Sequence, residues 1–419
     1  MEIFSDLHIH SRFSRATSSD ISIESLEKWA RVKGLNLLGT GDFTHPVWFS
    51  ELKERLQPER GILKTATGFS FIATTEISNI FLKNGKQRRV HNIIIAPDLE
   101  VVGNINDWLS KKGRLDYDGR PIFSMDCQTL IEGLIDIDPW IEIIPAHAWT
   151  PWYGIFGSKT GFDSIEDCFG DFSKYIHAIE TGLSSDPAMN WRLSTLDRYS
   201  LVSFSDAHSY WPWRLGRECT VFSCEMDYKS IIRAIRDHNI TFTIEVSPAY
   251  GKYHWDGHRS CGVCLKPKTA EVMRNLCPVC KRPLTMGVLH RVETLSDRPD
   301  GFTPSHAKPF FSIIPLSEII SNVTKSAVNS VKVWEIYNKL IERFNNEFYV
   351  LLKAGLDEIE NLVGDEIARL IDSMRSGKIQ IQPGYDGVYG VITETEPKEN
   401  IPKEIAQQNL SSFFRPAQI

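Results

Sequence analysis

The sequence lacks a long apolar segment and an excess of positive charge. Its apolar runs, such as Ile141–Ile144, are far shorter than the roughly 20 residues that a helix needs to cross a bilayer. Its first residues contain no basic region followed by an apolar one, so we expect no secretory signal and a cytoplasmic protein. With a formal net charge of −6, the chain could bind nucleic acid only through a local basic surface or through metal ions.

The sequence also lacks internal repeats and any Ser-His-Asp or Cys-His arrangement that would indicate covalent catalysis. Its 419 residues are too many for one ordinary core, so several domains are expected. Changes in composition predict four segments. They are an N-terminal α/β region at 1–248, a cysteine-containing module at 249–310, a helical region ending in a β-hairpin at 311–395, and a linker and tail at 396–419.

Apolar strands alternate with amphipathic helices in the N-terminal region. One helix is predicted over Ile23–Lys33, with Ser22 as its N-cap and Gly34 as its stop, and another over Tyr228–Asp237. This alternation favours a mostly parallel sheet, open or closed into a barrel. The predicted strands are Glu2–Leu7, Leu35–Leu38, Phe69–Thr74, Val90–Ile95, Ile141–Ile144, Ile176–Ile179 and Leu201–Phe204.

Histidines and carboxylates lie at or just beyond the ends of these strands. His8 and His10 are two residues apart, so both side chains point to one face, and Asp206 and His208 repeat this spacing. The other members of the set are Asp42, His45, Glu76, His91 and His147. Any one of these histidines alone would more simply be a hydrogen-bonded core residue. Together they predict a site for Zn²⁺, Mn²⁺ or Fe²⁺ at the C-terminal ends of parallel strands.

The motif set resembles that of the polymerase and histidinol phosphatase (PHP) superfamily over residues 1–248. The matching motifs are His8-Ile9-His10, Gly41–Pro46, Glu76, His91, His147 and Asp206-Ala207-His208. The resemblance implies a distorted (βα)7 barrel that holds a trinuclear metal centre. It implies one metal bound by His8, His10, Glu76 and Asp206, a second bound by Glu76, His91 and His147, and a third bound by His45 and His208.

One position departs from the superfamily pattern. Many members carry a His or Asp a few residues after the first motif, where this chain has Arg15. Asp20 is the nearest substitute for that ligand, and a solvated residue before the first helix is the alternative reading. Asp42 is expected either to bind metal or to orient a histidine. The resemblance implies metal-assisted phosphoester hydrolysis, and the residues expected to be catalytic are His8, His10, Glu76, Asp206 and His208.

Four of the eight cysteines form two Cys-x-x-Cys pairs, Cys261/Cys264 and Cys277/Cys280. In a chain with no export signal, metal binding is a better explanation than disulfides. The spacing predicts a closed tetrahedral Zn²⁺ site with four cysteine ligands, which would support folding rather than catalysis. A redox or iron–sulfur role is the alternative. Lysines and arginines around the pairs would either follow a phosphate backbone or balance the charge of the thiolates.

The C-terminal tail contains the pattern Gln-x-x-Leu-x-x-Phe-Phe, formed by Gln407, Leu410, Phe413 and Phe414. Exposed apolar residues after a linker favour insertion into a groove on a partner protein. The pattern resembles the PCNA-interacting peptide of proteins that dock on a sliding clamp. The alternative is that the tail folds back on its own chain.

The order of the PHP-like region, cysteine pairs, helical region and clamp peptide resembles the archaeal endonuclease Q family over nearly the whole chain. The resemblance implies a nucleoid-associated DNA repair endonuclease that cleaves 5′ to deoxyuridine, deoxyinosine, deoxyxanthosine or an abasic site. The expected partners are such DNA and the PCNA clamp. The expected ions are a structural Zn²⁺ and two or three divalent cations (Zn²⁺, Mn²⁺ or Mg²⁺). The alternatives are a small-molecule phosphatase, which leaves the clamp peptide unexplained, and a non-enzymatic scaffold.

Cleavage beside a damaged base requires that base to be extruded into a pocket near the metals. Aromatic candidates for this pocket follow His147 and His208, and they could equally be core residues. They are Trp149, Trp152, Tyr153 and Phe156 in the first group, and Tyr210, Trp211 and Trp213 in the second. Glu180, at another strand end, is expected to orient a neighbour or to serve the fold.

Overall fold

A mixed sheet of eleven strands forms the centre of the molecule. The computed structural model describes residues 1–401, so the expected clamp-binding residues Gln407, Leu410, Phe413 and Phe414 lie outside the described range. The described strands are β1 Glu2–Asp6, β2 Leu37–Gly39, β3 Gln57–Glu59, β4 Ile62–Lys64, β5 Ser70–Lys83, β6 Lys86–Ala96, β7 Ile122–Phe123, β8 Glu142–Pro145, β9 Ala178–Glu180, β10 Ser200–Val202, β11 Cys219–Ser223, β12 Ile240–Val246, β13 Asp256–His258, β14 Val263–Leu265, β15 Phe310–Ile313, β16 Gln380–Gln382 and β17 Val391–Thr393.

The helices alternate with strands up to α7 and dominate after β15. They are α1 Ile23–Lys33, α2 Pro46–Arg55, α3 Leu99–Ser110, α4 Cys127–Ile137, α5 Ile165–Phe169, α6 Pro187–Asn190, α7 Tyr228–Arg236, α8 Pro267–Val272, α9 Val288–Leu295, α10 Leu316–Thr324, α11 Val331–Phe344, α12 Glu347–Leu352, α13 Leu356–Val363 and α14 Asp365–Arg375. None of the described helices is long and apolar enough to cross a membrane.

The fold is mixed α/β, but its sheet is less parallel than the sequence pattern suggests. Strands β1, β2 and β5 pair in parallel. Strand β6 pairs antiparallel with both β5 and β8, and β11 pairs antiparallel with both β1 and β12. The long β5–β6 hairpin turns at Asn84 and Gly85, whose φ angles of 52° and 72° are positive as a type I′ turn requires. The expectation of a mostly parallel sheet is therefore wrong for this part of the chain.

Local sequence explains how α1 connects β1 to β2. The Ser22 side chain accepts a hydrogen bond from the Ser25 backbone N–H, and the Ser25 side chain accepts one from the Ser22 backbone N–H. Gly34 ends the helix in the left-handed conformation. Leu26 and Ala30 are buried on the helix face that covers the sheet. This connection sets β1 beside β2, so the residues just after both strands meet at one edge.

The helical region docks on the N-terminal region through β15 and through a buried ion pair. Strand β15 extends the main sheet by pairing in parallel with β12. The Lys33 ammonium lies 2.7 Å from the Glu347 carboxylate, and both side chains are fully buried. Glu347 also accepts hydrogen bonds from the Leu316 backbone and the Tyr337 hydroxyl. A buried charge pair with this many partners holds α1, α10, α11 and α12 in one arrangement.

Candidate metal centre

Four side chains from distant parts of the chain meet where β1 ends. His8, His10, Glu76 and Asp206 each offer one ligand atom, and these atoms lie within 4.8 Å of one another. His10 Nε2 lies 3.1 Å from an Asp206 oxygen and 3.4 Å from a Glu76 oxygen. His8 Nε2 lies 3.6 Å from oxygens of the same two carboxylates. Two imidazoles and two carboxylates facing one point are a ligand set for a divalent cation.

A second group shares Glu76 with the first. His91 Nδ1 lies 2.7 Å and His147 Nε2 lies 3.0 Å from Glu76 Oε1, and the two ring nitrogens are 3.3 Å apart. All three residues are buried. Since Glu76 belongs to both groups, its carboxylate is placed to bridge two cations.

Hydrogen bonds from outside the cluster orient three of the histidines. Glu180 lies 3.0 Å from His8 Nδ1, and Asp42 lies 3.0 Å from His10 Nδ1. The Thr150 hydroxyl lies 2.9 Å from His147 Nδ1. In each ring the other nitrogen, Nε2, is left facing the cluster, which is the arrangement that metal-binding histidines use.

Two further observations indicate that these residues fit a bound cation. His8 Nε2 is buried and has no hydrogen-bond partner among the described residues, which is costly unless the nitrogen binds something else. Burial alone would raise the pKa of Glu76, but His91, Arg120 and His8 hold it well below its usual range. The carboxylate is therefore ionised, as a metal ligand must be.

Three residues of this site adopt strained backbone conformations. Asp42, His147 and Asp206 have φ angles of 46°, 31° and 47°, in the left-handed region that non-glycine residues seldom adopt. Such conformations persist only where the surroundings enforce them, and they cluster at functional sites. They also direct these side chains inward at the ends of their strands.

The third expected metal site is not assembled. Among residues 1–401, neither His45 nor His208 joins a group of three potential ligands within 4.8 Å. His45 stacks on Phe13 at a centroid distance of 4.2 Å, and His208 Nδ1 lies 2.9 Å from the Asp206 carbonyl. Asp20 is exposed, and its carboxylate accepts a hydrogen bond from the adjacent Ser19 hydroxyl. Among the described residues Asp20 likewise belongs to no such group, and its exposure agrees with the alternative of a solvated residue before the first helix.

Arg120 is a site residue that the sequence analysis did not identify. Its guanidinium donates a 2.9 Å hydrogen bond to Glu76. The loop carrying it passes so close to Asp42 that a Cβ on Gly119 would lie 2.2 Å from Asp42 Oδ2. Only glycine allows that approach. Arg120 follows no strand and belongs to no motif, so its position could not be recognised from spacing.

The aromatic candidates separate into buried and accessible residues. Trp149 is buried and donates to Asn190, so it packs in the core and cannot stack on a base. Tyr153 lies beside the cluster, with its ring centroid 4.3 Å from that of His91. Trp152 is partly exposed and contacts Tyr253 edge-to-face. In the second group, Trp211 stacks on Trp213, and the Tyr210 ring lies tilted against Trp211.

The cysteine module differs from its expected ligand set. Cys261, Cys277 and Cys280 do lie together, but the fourth member of the group is His258. Cys264 lies apart from them, and its thiol contacts the Pro383 carbonyl at 3.9 Å. The structure therefore brings three of the four expected cysteines together and leaves Cys264 outside the group. The His258-x-x-Cys261 spacing, equal to that of Cys277-x-x-Cys280, is the signal that the sequence analysis missed.

Comparison with known proteins gives the chain its family. A lesion-specific endonuclease of Pyrococcus furiosus, endonuclease Q, is 31% identical, with a TM-score of 0.84 over 98% of each chain. The chain belongs to the endonuclease Q family. It is thus an enzyme of the metal-dependent endonuclease class. A second endonuclease Q structure, a complex with a 27-mer duplex substrate carrying an abasic lesion at the active site, is also 31% identical, with a TM-score of 0.84 over 98% of this chain and 100% of that one.

Two further comparisons match only part of this chain. Residues 315–378 match the family model described as the MJ0043 C-terminal domain, which spans α10 to α14 here. The uncharacterised protein MJ0043 of Methanocaldococcus jannaschii is 34% identical over 253 residues, which are 59% of this chain and 31% of that protein. The chain thus spans about a third of the length of this relative.

Proposed function

We propose that this protein is a DNA repair enzyme that hydrolyses the phosphodiester bond 5′ to a deaminated or abasic nucleotide. The substrates would be deoxyuridine, deoxyinosine, deoxyxanthosine and abasic sites in duplex DNA at the nucleoid. The observation that carries the proposal is the cluster of six potential ligands, five of them buried, in a chain similar over 98% of its length to an endonuclease bound to lesion-containing DNA. Residues 1–248 would supply catalysis, 249–310 a zinc-stabilised module, 311–395 a docking helical region, and 396–419 the partner-binding tail.

In the proposed reaction, His8, His10, Glu76 and Asp206 would hold one divalent cation, and Glu76, His91 and His147 would hold a second. Bound Zn²⁺, Mn²⁺ or Mg²⁺ would lower the pKa of a water molecule and attract the non-bridging phosphate oxygens. Glu180 and Asp42 keep the histidine rings fixed, because each accepts a hydrogen bond from the ring nitrogen that faces away from the cluster.

Arg120 would bind the phosphate in this reaction. Its guanidinium already lies against the Glu76 carboxylate, at the edge of the cluster. A second anion beside it would be held in a bidentate geometry that lysine cannot provide. Its positive charge would also stabilise the negative charge that develops on the phosphate oxygens during attack.

Nicking of defined duplexes tests the proposal. The protein, supplied with Mn²⁺, Mg²⁺ or Zn²⁺, is offered a duplex with one deoxyuridine, deoxyinosine or abasic site, the matched undamaged duplex, and a generic phosphomonoester. We expect a nick 5′ to the lesion only in damaged duplexes. Phosphate release from the monoester without nicking would indicate a phosphatase instead, and a metal-loaded protein that turns over neither substrate would indicate a scaffold.

We propose in addition that the C-terminal peptide docks the enzyme on the PCNA clamp. The support is the sequence pattern of Gln407, Leu410, Phe413 and Phe414. Replacing Phe413 and Phe414 together by alanine should abolish co-purification with PCNA and leave nicking by the isolated enzyme unchanged. Unaltered clamp binding by this variant would refute the docking role.

A further inference from the structure

The cysteine module contains a ligand group that its Cys-x-x-Cys pairs do not describe. One nitrogen of His258 and the thiols of Cys261, Cys277 and Cys280 lie within 4.8 Å of one another. The Cys280 thiol lies 3.5 Å from His258 Nδ1. Three sulfurs and one imidazole nitrogen form a complete tetrahedral set for Zn²⁺.

The β13–β14 hairpin explains why Cys264 is not in this group. His258 pairs with Val263, and Gly257 pairs with Cys264, in an antiparallel register. Neighbouring residues on a strand point to opposite faces, so Cys264 points away from the face that carries Val263 and His258. Cys261 lies in the turn between the two strands and reaches the His258 face.

The opposite face of the hairpin is occupied by other parts of the chain. A Cβ on Gly257 would lie 2.4 Å from the Tyr385 ring, and the Cys264 thiol approaches the Pro383 carbonyl. The Cys264 backbone also exchanges hydrogen bonds with Asn400. Cys264 is 1% exposed, and its burial raises the pKa of its thiol to about 12. It therefore behaves as a small buried residue that seals the contact between the module and the 383–400 segment.

The geometry points to a zinc site with three cysteines and one histidine, in which His258 takes the place that the sequence spacing gives to Cys264. The site is closed, because four protein ligands leave no position for water, so its role is to fix the module. His258 joins the β13–β14 hairpin to the Cys277–Cys280 turn through the metal. The inference is independent of the proposed nuclease activity, and its test does not use that activity.

Cobalt substitution in the full-length protein tests the ligand set. The described clusters of the N-terminal region contain no thiol, so thiolate-to-cobalt charge-transfer absorption reports on the module alone. Cys264→Ala should leave that absorption unchanged, because the residue is not a ligand. His258→Cys should bind cobalt and absorb more strongly by the amount of one added thiolate. His258→Ala should bind cobalt more weakly than the wild type does.

The two readings of the module predict opposite results. With four cysteine ligands, Cys264→Ala would lose the absorption of one thiolate and His258→Cys would add none. That outcome would overturn the assignment. Because His258→Cys keeps a complete set of four ligands, the test remains decisive even if His258→Ala does not fold. The nicking assay on the same preparations separates a failure of this site from a failure of the proposed function.

Discussion

The two candidate metal-binding groups of this protein are built in opposite ways. The histidine and carboxylate cluster draws its ligands from positions 8 to 206, buries all of them except the partly exposed Asp206, and holds three of its rings with Glu180, Asp42 and Thr150. The cysteine and histidine group takes all of its ligands from positions 258 to 280, and Cys280 is exposed. In the first group, the folded N-terminal region brings the ligands together. In the second group, a bound metal would stabilise the fold of the module, because a module with so small a core needs a cross-link.

Removing all metal gives the largest expected difference between the two regions. After exhaustive chelation, backbone amides of residues 256–285 should lose several kcal/mol of hydrogen-exchange protection, since the binding free energy of a structural zinc is folding free energy. Amides of β1, β5 and β6 should keep their protection because large apolar clusters surround them. Exchange mass spectrometry with and without Zn²⁺ gives both values. An equal loss of protection in both regions would contradict the view that only the cysteine module depends on metal for its fold.

Asp206→Ala tests whether the N-terminal cluster serves chemistry rather than stability. Losing a ligand of the first cation should lower nicking by at least about 10³-fold, which corresponds to about 4 kcal/mol of transition-state stabilisation. The melting temperature should change little, because the Asp206 side chain is 30% exposed and its removal opens no cavity in the apolar core. Single-turnover nicking and calorimetry on one preparation measure the two effects. Retained turnover would remove Asp206 from the site.

Glu180→Gln tests the effect of a residue that orients a metal ligand without being a ligand itself. The change should weaken metal affinity or nicking by about 10- to 100-fold, because the amide cannot match the carboxylate against His8. Glu142→Gln is the matched control, since Glu142 is also buried and contacts a histidine, His177, but that histidine is not in the cluster. The control should affect stability alone. Similar nicking by both variants would count against the orienting role.

The stability of the N-terminal region should respond to protons through Glu245. Burial raises the pKa of this carboxyl from 4.5 to about 8, against the opposing effect of its hydroxyl neighbours. Between those values the folded chain keeps the proton and the unfolded chain releases it, so stability should fall as pH rises and the loss should be complete above pH 8. The free energy of unfolding should fall by about 1 kcal/mol per pH unit more in the wild type than in Glu245→Gln. Urea titrations at pH 5, 6, 7 and 8 would measure this, and parallel curves would contradict it.

Local signals in the sequence predict much of the N-terminal architecture. Ser22 and Gly34 bound α1 as the capping rules require. The two-residue spacing of His8 and His10 brings both rings to one cluster. The hairpin between β5 and β6 was also open to prediction, because Asn84-Gly85 is the strongest short turn signal. Strand and helix alternation outweighed that signal and led to the wrong expectation of parallel pairing.

The remaining features depend on tertiary contacts that the spacing of residues in the sequence does not predict. Arg120 reaches the cluster because Gly119 lets its loop pass against Asp42, and nothing in the local pattern reports that approach. The exclusion of Cys264 follows from the register of a hairpin only three residues long on each side. A shift of one residue in that register would exchange the two faces. Where a candidate ligand lies within a strand, cysteine spacing alone is therefore a weak basis for predicting which residues bind the metal.

Anomalous diffraction from crystals grown with Mn²⁺ would test most directly whether distant histidines and carboxylates bind cations together. We predict two manganese peaks a few ångströms apart, one between His8, His10 and Asp206, the other between His91 and His147, with Glu76 touching both. An ordered cluster that gives no peak at saturating Mn²⁺, or a single peak away from Glu76, would contradict the account.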